Sequence, residues 1–195
     1  MARMAVDLVP RLARSIEART RRMLTGEGRT RAAVLVPLVP VGDDIHLLFI
    51  RRATDLVHHR GQIAFPGGRY EPGDADPVAT ALREAHEEIG LRPDDVRVLG
   101  TLDDIETMTS RFLITPIVGV TPYPYAWAPD PREVDHIFTV PLTTLLAPDA
   151  ERRETWDFDG NAVPIDHFPV AGQVIWGATH RITRNLLDLV AKELH

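Results

Sequence analysis

The sequence lacks cysteine, long apolar runs and an apolar leader at its N-terminus. Without cysteine the chain forms no disulfide bonds and offers no thiolate ligands for zinc or an iron–sulfur cluster. No stretch approaches the roughly 20 apolar residues that a membrane-spanning helix needs. Charged residues and a proline interrupt the first apolar stretch at Asp7, Pro10 and Arg11, so it does not resemble a secretory signal. These features predict a cytoplasmic protein that has no membrane partner.

An excess of positive charge is also missing. The chain carries 22 Lys and Arg residues against 28 Asp and Glu residues, which gives a formal net charge of -6. This balance disfavours nucleic acid as a partner, although a local site can still hold a small phosphorylated substrate. With 195 residues, 44% of them hydrophobic, the chain is long enough to bury the core of one domain. We therefore expect a single domain over residues 1–195.

Apolar periodicity predicts a helix at each end of the chain. An N-terminal helix within residues 1–28 should dock one face on the domain, because apolar residues recur at roughly helical spacing at Leu8, Leu12, Ile16 and Met23. A similar pattern predicts a closing helix over residues 180–194.

Short β-rich runs predict the strands of a sheet. Residues 32–41 and 45–50 predict a hairpin, and further strands are predicted at 96–102, 113–120, 136–141 and 161–164. Pro37 and Pro40 favour an edge position or a bulge for the first strand. Strands on both sides of a central helix indicate an α/β fold, with a mixed sheet sandwiched between helices.

The central helix is predicted over residues 77–89. Asp76 fits the N-cap, Pro77 fits the first helical position, and Gly90 fits the left-handed position that ends a helix. One apolar stripe should pack on the sheet, formed by Val78, Ala81, Leu82, Ala85 and Ile89.

Three carboxylates lie on a different face of this helix. Glu84, Glu87 and Glu88 have the spacing i, i+3, i+4, so we expect them to converge within a few ångströms. Mg²⁺ would relieve their repulsion while keeping positions for water and phosphate oxygens. Such a cluster taken alone is more typical of a solvated helix face. The Gly67-Gly68 turn favours the metal site, because it permits a close backbone approach and a further carbonyl ligand.

Residues 67–91 resemble the Nudix box. The second half of that motif is matched fully by residues 83–91, whereas Asp74 stands where a glutamate is expected and one extra residue precedes Arg83. This departure is similar to the coenzyme A pyrophosphatase branch of the family, in which Gly-Gly-x-x-Asp-x-x-Asp precedes Thr-Ala-Leu-Arg-Glu-Ala. Glu71 replaces the first aspartate of that pattern.

An upstream segment extends the resemblance. Residues 56–68 are similar to a second signature of the same branch, with His59, Gly61 and Gln62 in register and Val57 in place of an arginine. The resemblance implies a Nudix-type α/β/α sandwich with a mixed β-sheet and dependence on Mg²⁺ or Mn²⁺. It also implies hydrolysis of coenzyme A, or its acyl derivatives, to (acyl-)4′-phosphopantetheine and adenosine 3′,5′-bisphosphate.

The resemblance also assigns roles to individual residues. It implies that the metal ligands are Glu84, Glu88, Glu87 and the carbonyl of Gly68. Arg83, Glu84 and Glu87 form the catalytic group, in which Arg83 orients the glutamates. The base that deprotonates the attacking water is Glu84 or a downstream acid, for which Glu133 is the candidate.

Substrate binding is assigned to His59, Gln62 and Arg51. His59 meets a substrate phosphate or the pantetheine portion, or instead holds the backbone of its loop. Arg51 and its neighbour Arg52 bind phosphate or, as is common, are solvated residues at the end of a strand.

Two other functions stay open on the sequence. One is a Nudix enzyme that acts on another nucleoside diphosphate derivative, such as ADP-ribose, and the other is a non-catalytic Nudix-fold binding module. The upstream signature favours coenzyme A, and the three box glutamates, which binding modules typically lose, favour an enzyme. The apolar segments that contain proline are compatible with a homodimer.

Overall fold

The computed structural model describes residues 4–53, 61–107, 110–158 and 160–194. Its helices are α1 (Met4–Ala18), α2 (Pro77–Ile89), α3 (Leu142–Leu145) and α4 (Gly177–Leu194), with a 3-10 turn at Pro93–Asp95. Its strands are β1 (Thr30–Val41), β2 (Asp44–Arg52), β3 (Ile63–Ala64), β4 (Gly67–Arg69), β5 (Arg97–Thr101), β6 (Ile105–Glu106), β7 (Phe112–Val120), β8 (Val134–Pro141), β9 (Arg152–Phe158), β10 (Asn161–Val170) and β11 (Gln173–Trp176).

Strand β1 lies in the interior of the main sheet. On one side it pairs in parallel with β7, and on the other side it pairs antiparallel with β4 and then with β2. Strands β3 and β8 pair with β2, whereas β5 and β6 pair with β7. The sheet is therefore mixed, as predicted. A smaller antiparallel sheet has the order β11-β10-β9.

Each face of the main sheet is covered by helices. Side chains of β1 alternate between the two faces, because successive residues of a strand point in opposite directions. Leu35 packs in the cluster that contains the apolar stripe of α2, whereas Val36 packs in the cluster that contains α1 and α4. The predicted α/β/α sandwich is confirmed. In the described ranges, no helix is long and apolar enough to cross a membrane.

The prediction of an edge position for β1 is wrong, and the placement of its prolines explains why a central strand tolerates them. The Thr30 amide donates toward β7 and the Leu35 amide donates to the Pro66 carbonyl on the opposite side. Because backbone nitrogens point to alternate sides along a strand, the nitrogen of Pro37 points to the same side as that of Leu35. There it faces a gap, since residues 32–34 pair with β4 and residues 38–41 pair with β2. The nitrogen of Pro40 faces the β7 side beyond Leu38, where that pairing ends. Neither proline therefore removes a ladder hydrogen bond.

The N-terminal helix is shorter than the predicted 1–28 docking segment. Helix α1 ends at Ala18, and the stripe up to Ile16 is buried, but Met23 is 74% exposed. The Asp103 carboxylate accepts the Arg22 amide, and the Asp104 carboxylate accepts the Leu24 amide at 3.0 Å. These two acceptors hold the chain in a non-helical path, because they take amides that a continued helix would use internally.

Other differences concern the last third of the chain. The predicted closing helix begins three residues earlier, at Gly177, and the strand predicted at 161–164 extends to Val170. Strand β9 was not predicted, because nearly all its residues are exposed and charged residues interrupt its apolar pattern.

We predict that Asp104→Ala lowers the free energy of unfolding by about 3 kcal/mol, as expected when one partner of a buried ion pair is removed. The buried Asp104 carboxylate pairs with the Arg21 guanidinium and accepts the Thr115 hydroxyl at 2.8 Å. Urea unfolding followed by circular dichroism measures the change. The control is Asp149→Ala, at an exposed position. Equal stability of the two variants would contradict this role for Asp104.

Candidate active site

Local sequence signals set the ends of α2, as predicted. The Asp76 side chain accepts the Ala79 amide at 2.8 Å, and Pro77 is the first helical residue. At the other end Gly90 adopts a φ of 70° and donates its amide to the His86 carbonyl at 2.9 Å. Both ends of the helix that carries the glutamates are therefore held by short-range contacts.

Glu88 lies at the inner edge of α2 and is only 1% exposed. Its Oε2 accepts the backbone amide of Gly67 at 2.8 Å, and its Oε1 lies 3.4 Å from Nη1 of Arg52. Burial raises the pKa of Glu88 to about 8, although the contacts with Gly67 and Arg52 act in the opposite direction. A carboxyl group buried in this way gains from a cation that replaces its lost hydration.

Glu84 lies one turn earlier and faces the same backbone segment. A Cβ atom added to Gly68 would lie only 2.4 Å from the Glu84 carboxyl carbon and from its Oε1. Glycine is therefore the residue that lets the Glu84 carboxyl approach the chain at this point. Partial burial raises the pKa of Glu84, and the neighbouring Arg83 opposes that shift.

The Gly67-Gly68 segment owes its position to strand β4. This strand pairs antiparallel with β1, and Gly67 lies opposite Val34. A Cβ atom at Gly67 would lie 2.4 Å from the Ala33 carbonyl oxygen, and the residue has a φ of 155°. The close approach of β4 to β1 thus leaves room for no side chain at Gly67.

Arg83 is held by several acceptors at the side of α2. Its Nε and Nη2 donate to the two oxygens of Asp74, at 3.0 and 3.1 Å, and Nη2 also donates to the Arg69 carbonyl. Its Nη1 lies 3.0 Å from the Glu84 carboxylate. The guanidinium holds the pKa of Asp74 well below its usual range. Arg83 therefore joins the loop after β4 to the glutamate face of the helix.

Glu87 is the most exposed of the three glutamates. Its side chain is 56% exposed and accepts Nη1 of Arg83 at 3.1 Å. In the part of the chain that the structure describes, no three acidic or histidine side chains form a group that could hold a metal ion. The three carboxylates therefore do not form the compact trio that the spacing predicts. Glu84 and Glu88, which lie against the Gly67-Gly68 backbone, are called the glutamate pair below.

The pair fits a hard divalent cation. Mg²⁺ is usually bound by one or two carboxylates, with water and substrate phosphate oxygens in its other positions. Glu84 and Glu88 supply two carboxylates beside the backbone at Gly68, which is the remaining predicted ligand. The residues present therefore suit Mg²⁺ or Mn²⁺ better than a metal that needs thiolate or imidazole ligands.

The other predicted site residues lie in different positions. Glu133 is exposed just before β8, and its charge contributes to the raised pKa of both Glu84 and Glu88. Arg51 forms an ion pair with Asp135 and does not contact the glutamates. The Gln62 carbonyl accepts the Arg52 amide at 3.0 Å. His59 lies outside the described residues.

Two contacts of the site were not predicted. Arg52, rather than Arg51, reaches Glu88. The alternation of side chains along β2 could have predicted this contact. Leu48 and Ile50 lie on the face that packs on α2, and Arg52, two residues further, points to the same face. The ion pair between Asp74 and Arg83 could not be predicted from the spacing of residues within one element, because Asp74 lies in a loop and Arg83 in a helix.

Comparisons with known proteins identify the family. The NUDIX domain family matches residues 29–175. The chain is 37% identical over 165 residues to the uncharacterized Nudix hydrolase NudL of Yersinia pestis (strain Pestoides F), a match that spans 83% of this chain and 80% of that protein. It is 41% identical over 118 residues to the NudL of Enterobacter sp. (strain 638), spanning 60% of each chain.

A solved structure shares the fold. The NUDIX domain of Shewanella oneidensis NrtR, complexed with ADP ribose, superposes with a TM-score of 0.51 at 16% identity, over 86% of this chain and 90% of that one. The box residues 67–91 and the helix α2 that they form both lie within the matched segment. The chain therefore belongs to the Nudix hydrolase family.

Proposed function

We propose that the protein hydrolyses the pyrophosphate bond of coenzyme A or its acyl derivatives, with Mg²⁺ or Mn²⁺ bound by Glu84 and Glu88. The observation that carries the proposal is the placement of these two carboxyl groups against the Gly67-Gly68 backbone. Glu88 accepts the Gly67 amide, and Glu84 lies where Gly68 leaves room for it. Buried carboxyl groups that face a backbone turn, rather than solvent, argue against an ordinary solvated helix face.

The bound ion would polarise the phosphoryl oxygens and lower the pKa of a water molecule. The chain's own residues then supply position and charge. Arg83 lies between Asp74 and Glu84, and we assign it the role of orienting Glu84 rather than contacting substrate. Its anchor on Asp74 keeps its charge beside the carboxylate face whether or not a ligand is present.

The base that accepts the proton of the attacking water is Glu84 or Glu133. Glu84 is half-buried and close to the proposed ion, whereas Glu133 is exposed and approaches the same carboxylates from the β8 side. Two acids of unequal burial that act on the same site suit separate tasks, one as a ligand and one as a proton acceptor.

The substrate assignment rests on sequence signatures that flank the site. The pattern Gly-Gly-x-x-Glu-x-x-Asp places Asp74 where it binds Arg83, so the residue that departs from the general Nudix box has a definite partner. The second signature ends in β3 and β4. The backbone carbonyl of its residue Gln62 accepts the Arg52 amide, and the Arg52 side chain contacts Glu88. Substrate groups held by that segment would lie next to the glutamate pair.

We expect phosphopantetheine and adenosine 3′,5′-bisphosphate when the protein is incubated with coenzyme A and Mg²⁺, and neither product without the metal. Mass analysis of a panel of nucleoside diphosphate derivatives, including acyl-coenzyme A and ADP-ribose, measures this. Cleavage of ADP-ribose alone would contradict the coenzyme A assignment and favour a Nudix enzyme that acts on another nucleoside diphosphate derivative. A lack of turnover on the whole panel would favour a binding module.

We predict that Glu84→Gln lowers kcat by at least about 100-fold, the usual scale for loss of a catalytic acid–base or metal-binding group. The amide keeps the shape of the side chain but removes the charge, so the far-ultraviolet circular dichroism spectrum should not change. Glu27→Gln is the matched control, at an exposed position outside the site. Turnover by Glu84→Gln at the rate of this control would exclude the proposed site.

The raised pKa of Glu88 makes the affinity for a metal ion depend on pH. Its carboxyl group must lose a proton to bind a cation, so protons compete with the metal below the pKa of about 8. We predict that the affinity for Mn²⁺ rises about tenfold per pH unit from roughly pH 6 to the pKa of Glu88 and then levels off. Isothermal titration calorimetry at each pH measures the affinity. A constant affinity over this range would contradict metal binding by Glu88.

A further inference from the structure

A groove lies on the side of the main sheet opposite to α2. Its volume is about 320 Å³, and it lies between α4 on one side and, on the other, the chain that connects α1 to β1 and the segment that follows β5. Residues of α4 at the spacing i, i+3, i+7 form one wall, at Arg181, Arg184 and Asp188. Arg22 and Asp103 contribute from the other side. Because α4 packs on the face that α2 does not cover, the groove is separate from the glutamate pair.

The carboxylates of the groove already have partners within the protein. Asp103 pairs with Arg19 at 2.9 Å, and Asp188 pairs with Arg184 at 2.9 Å. Glu151, at the rim, lies 2.7 Å from Nε2 of His180 and 3.5 Å from Arg184. Each of these acidic groups thus already has an ion-pair or hydrogen-bond partner within the protein.

Two guanidinium groups have no such partner. In the described ranges, Arg22 makes no side-chain hydrogen bond or ion pair, and Arg181 donates only to the neutral backbone carbonyl of Glu106 at 2.8 Å. Both residues are exposed at the groove. Two guanidinium groups without an ion-pair partner among the described residues therefore face one concave surface of a protein whose formal net charge is -6.

Hydrogen bonds hold Arg181 and the polar groups between the two walls of the groove in place. The Glu106 carbonyl holds the Arg181 guanidinium. Asn185 accepts the Asp103 amide at 3.2 Å and donates to the Asp103 carboxylate at 3.4 Å, which joins α4 to the opposite wall. A donor that is held before the ligand arrives, as Arg181 is, loses less conformational entropy on binding.

We propose that this groove binds the phosphate group of a small phosphorylated molecule. The planar guanidinium of arginine matches the oxygens of a phosphate group, and paired arginines are common where phosphate is recognised. The volume accommodates a phosphate together with a small organic group. This inference does not depend on the proposed pyrophosphatase activity, because the groove and the glutamate pair lie on opposite faces of the sheet.

The test is a titration of the ¹⁵N-labelled full chain with inorganic phosphate, with a chelator present so that no metal recruits phosphate to α2. Saturable shifts of the Asn185 side-chain amide and of the Arg181 Nε–H signal are expected. The double variant Arg22→Ala/Arg181→Ala should weaken phosphate binding at least about tenfold, because each charge-assisted hydrogen bond that is lost contributes on the scale of a tenfold change.

The matched control is Arg14→Ala/Arg97→Ala, which removes the same charge from exposed positions outside the groove. It should bind phosphate as the unaltered chain does, and the thermal unfolding midpoints of both double variants verify that they fold. A parallel titration with adenosine 5′-monophosphate distinguishes free phosphate from a phosphate carried on an organic group. Absence of saturable shifts, or equal affinity in the two double variants, would overturn the proposal.

Discussion

The position of the Glu88 carboxyl group depends on one backbone amide, that of Gly67. This amide is available because β4 pairs with β1 in a register that places Gly67 opposite Val34. The same register allows Glu84 to lie against Gly68. The geometry of the site is therefore set by strand pairing as much as by the helix. Gly67 is required because β1 approaches too closely for a side chain, and Gly68 is required because the Glu84 carboxyl group lies against it.

Local rules predicted α2 and its orientation correctly. The N-cap Asp76, the first-turn Pro77 and the C-terminal Gly90 act within a few residues of sequence, so their effects can be recognised without knowing the rest of the fold. The apolar stripe that ends at Ile89 is buried as expected. Periodicity also identified the sandwich, because both helical layers and the central strands bury one regular face.

Features that depend on contacts distant in sequence were not predicted. The end of α1 at Ala18 is caused by carboxylates more than eighty residues away, at Asp103 and Asp104. The prolines of β1 suggested an edge, because the sequence does not reveal that β4 and β2 divide one side of that strand. Arg83 likewise finds Asp74 only after the loop that follows β4 has folded back on α2. In each case the missing information is a tertiary partner rather than a local preference.

Because α1 and α4 pack against each other and on the sheet, the apolar core includes residues on both sides of the segment that matches the family. The family match spans residues 29–175 and so omits all of α1 and all of α4. Yet Leu12, Leu186 and Val190 are fully buried members of the larger apolar cluster. A fragment trimmed to the shared segment would leave one face of the sheet open to water, so the ends of this chain serve as its outer layer.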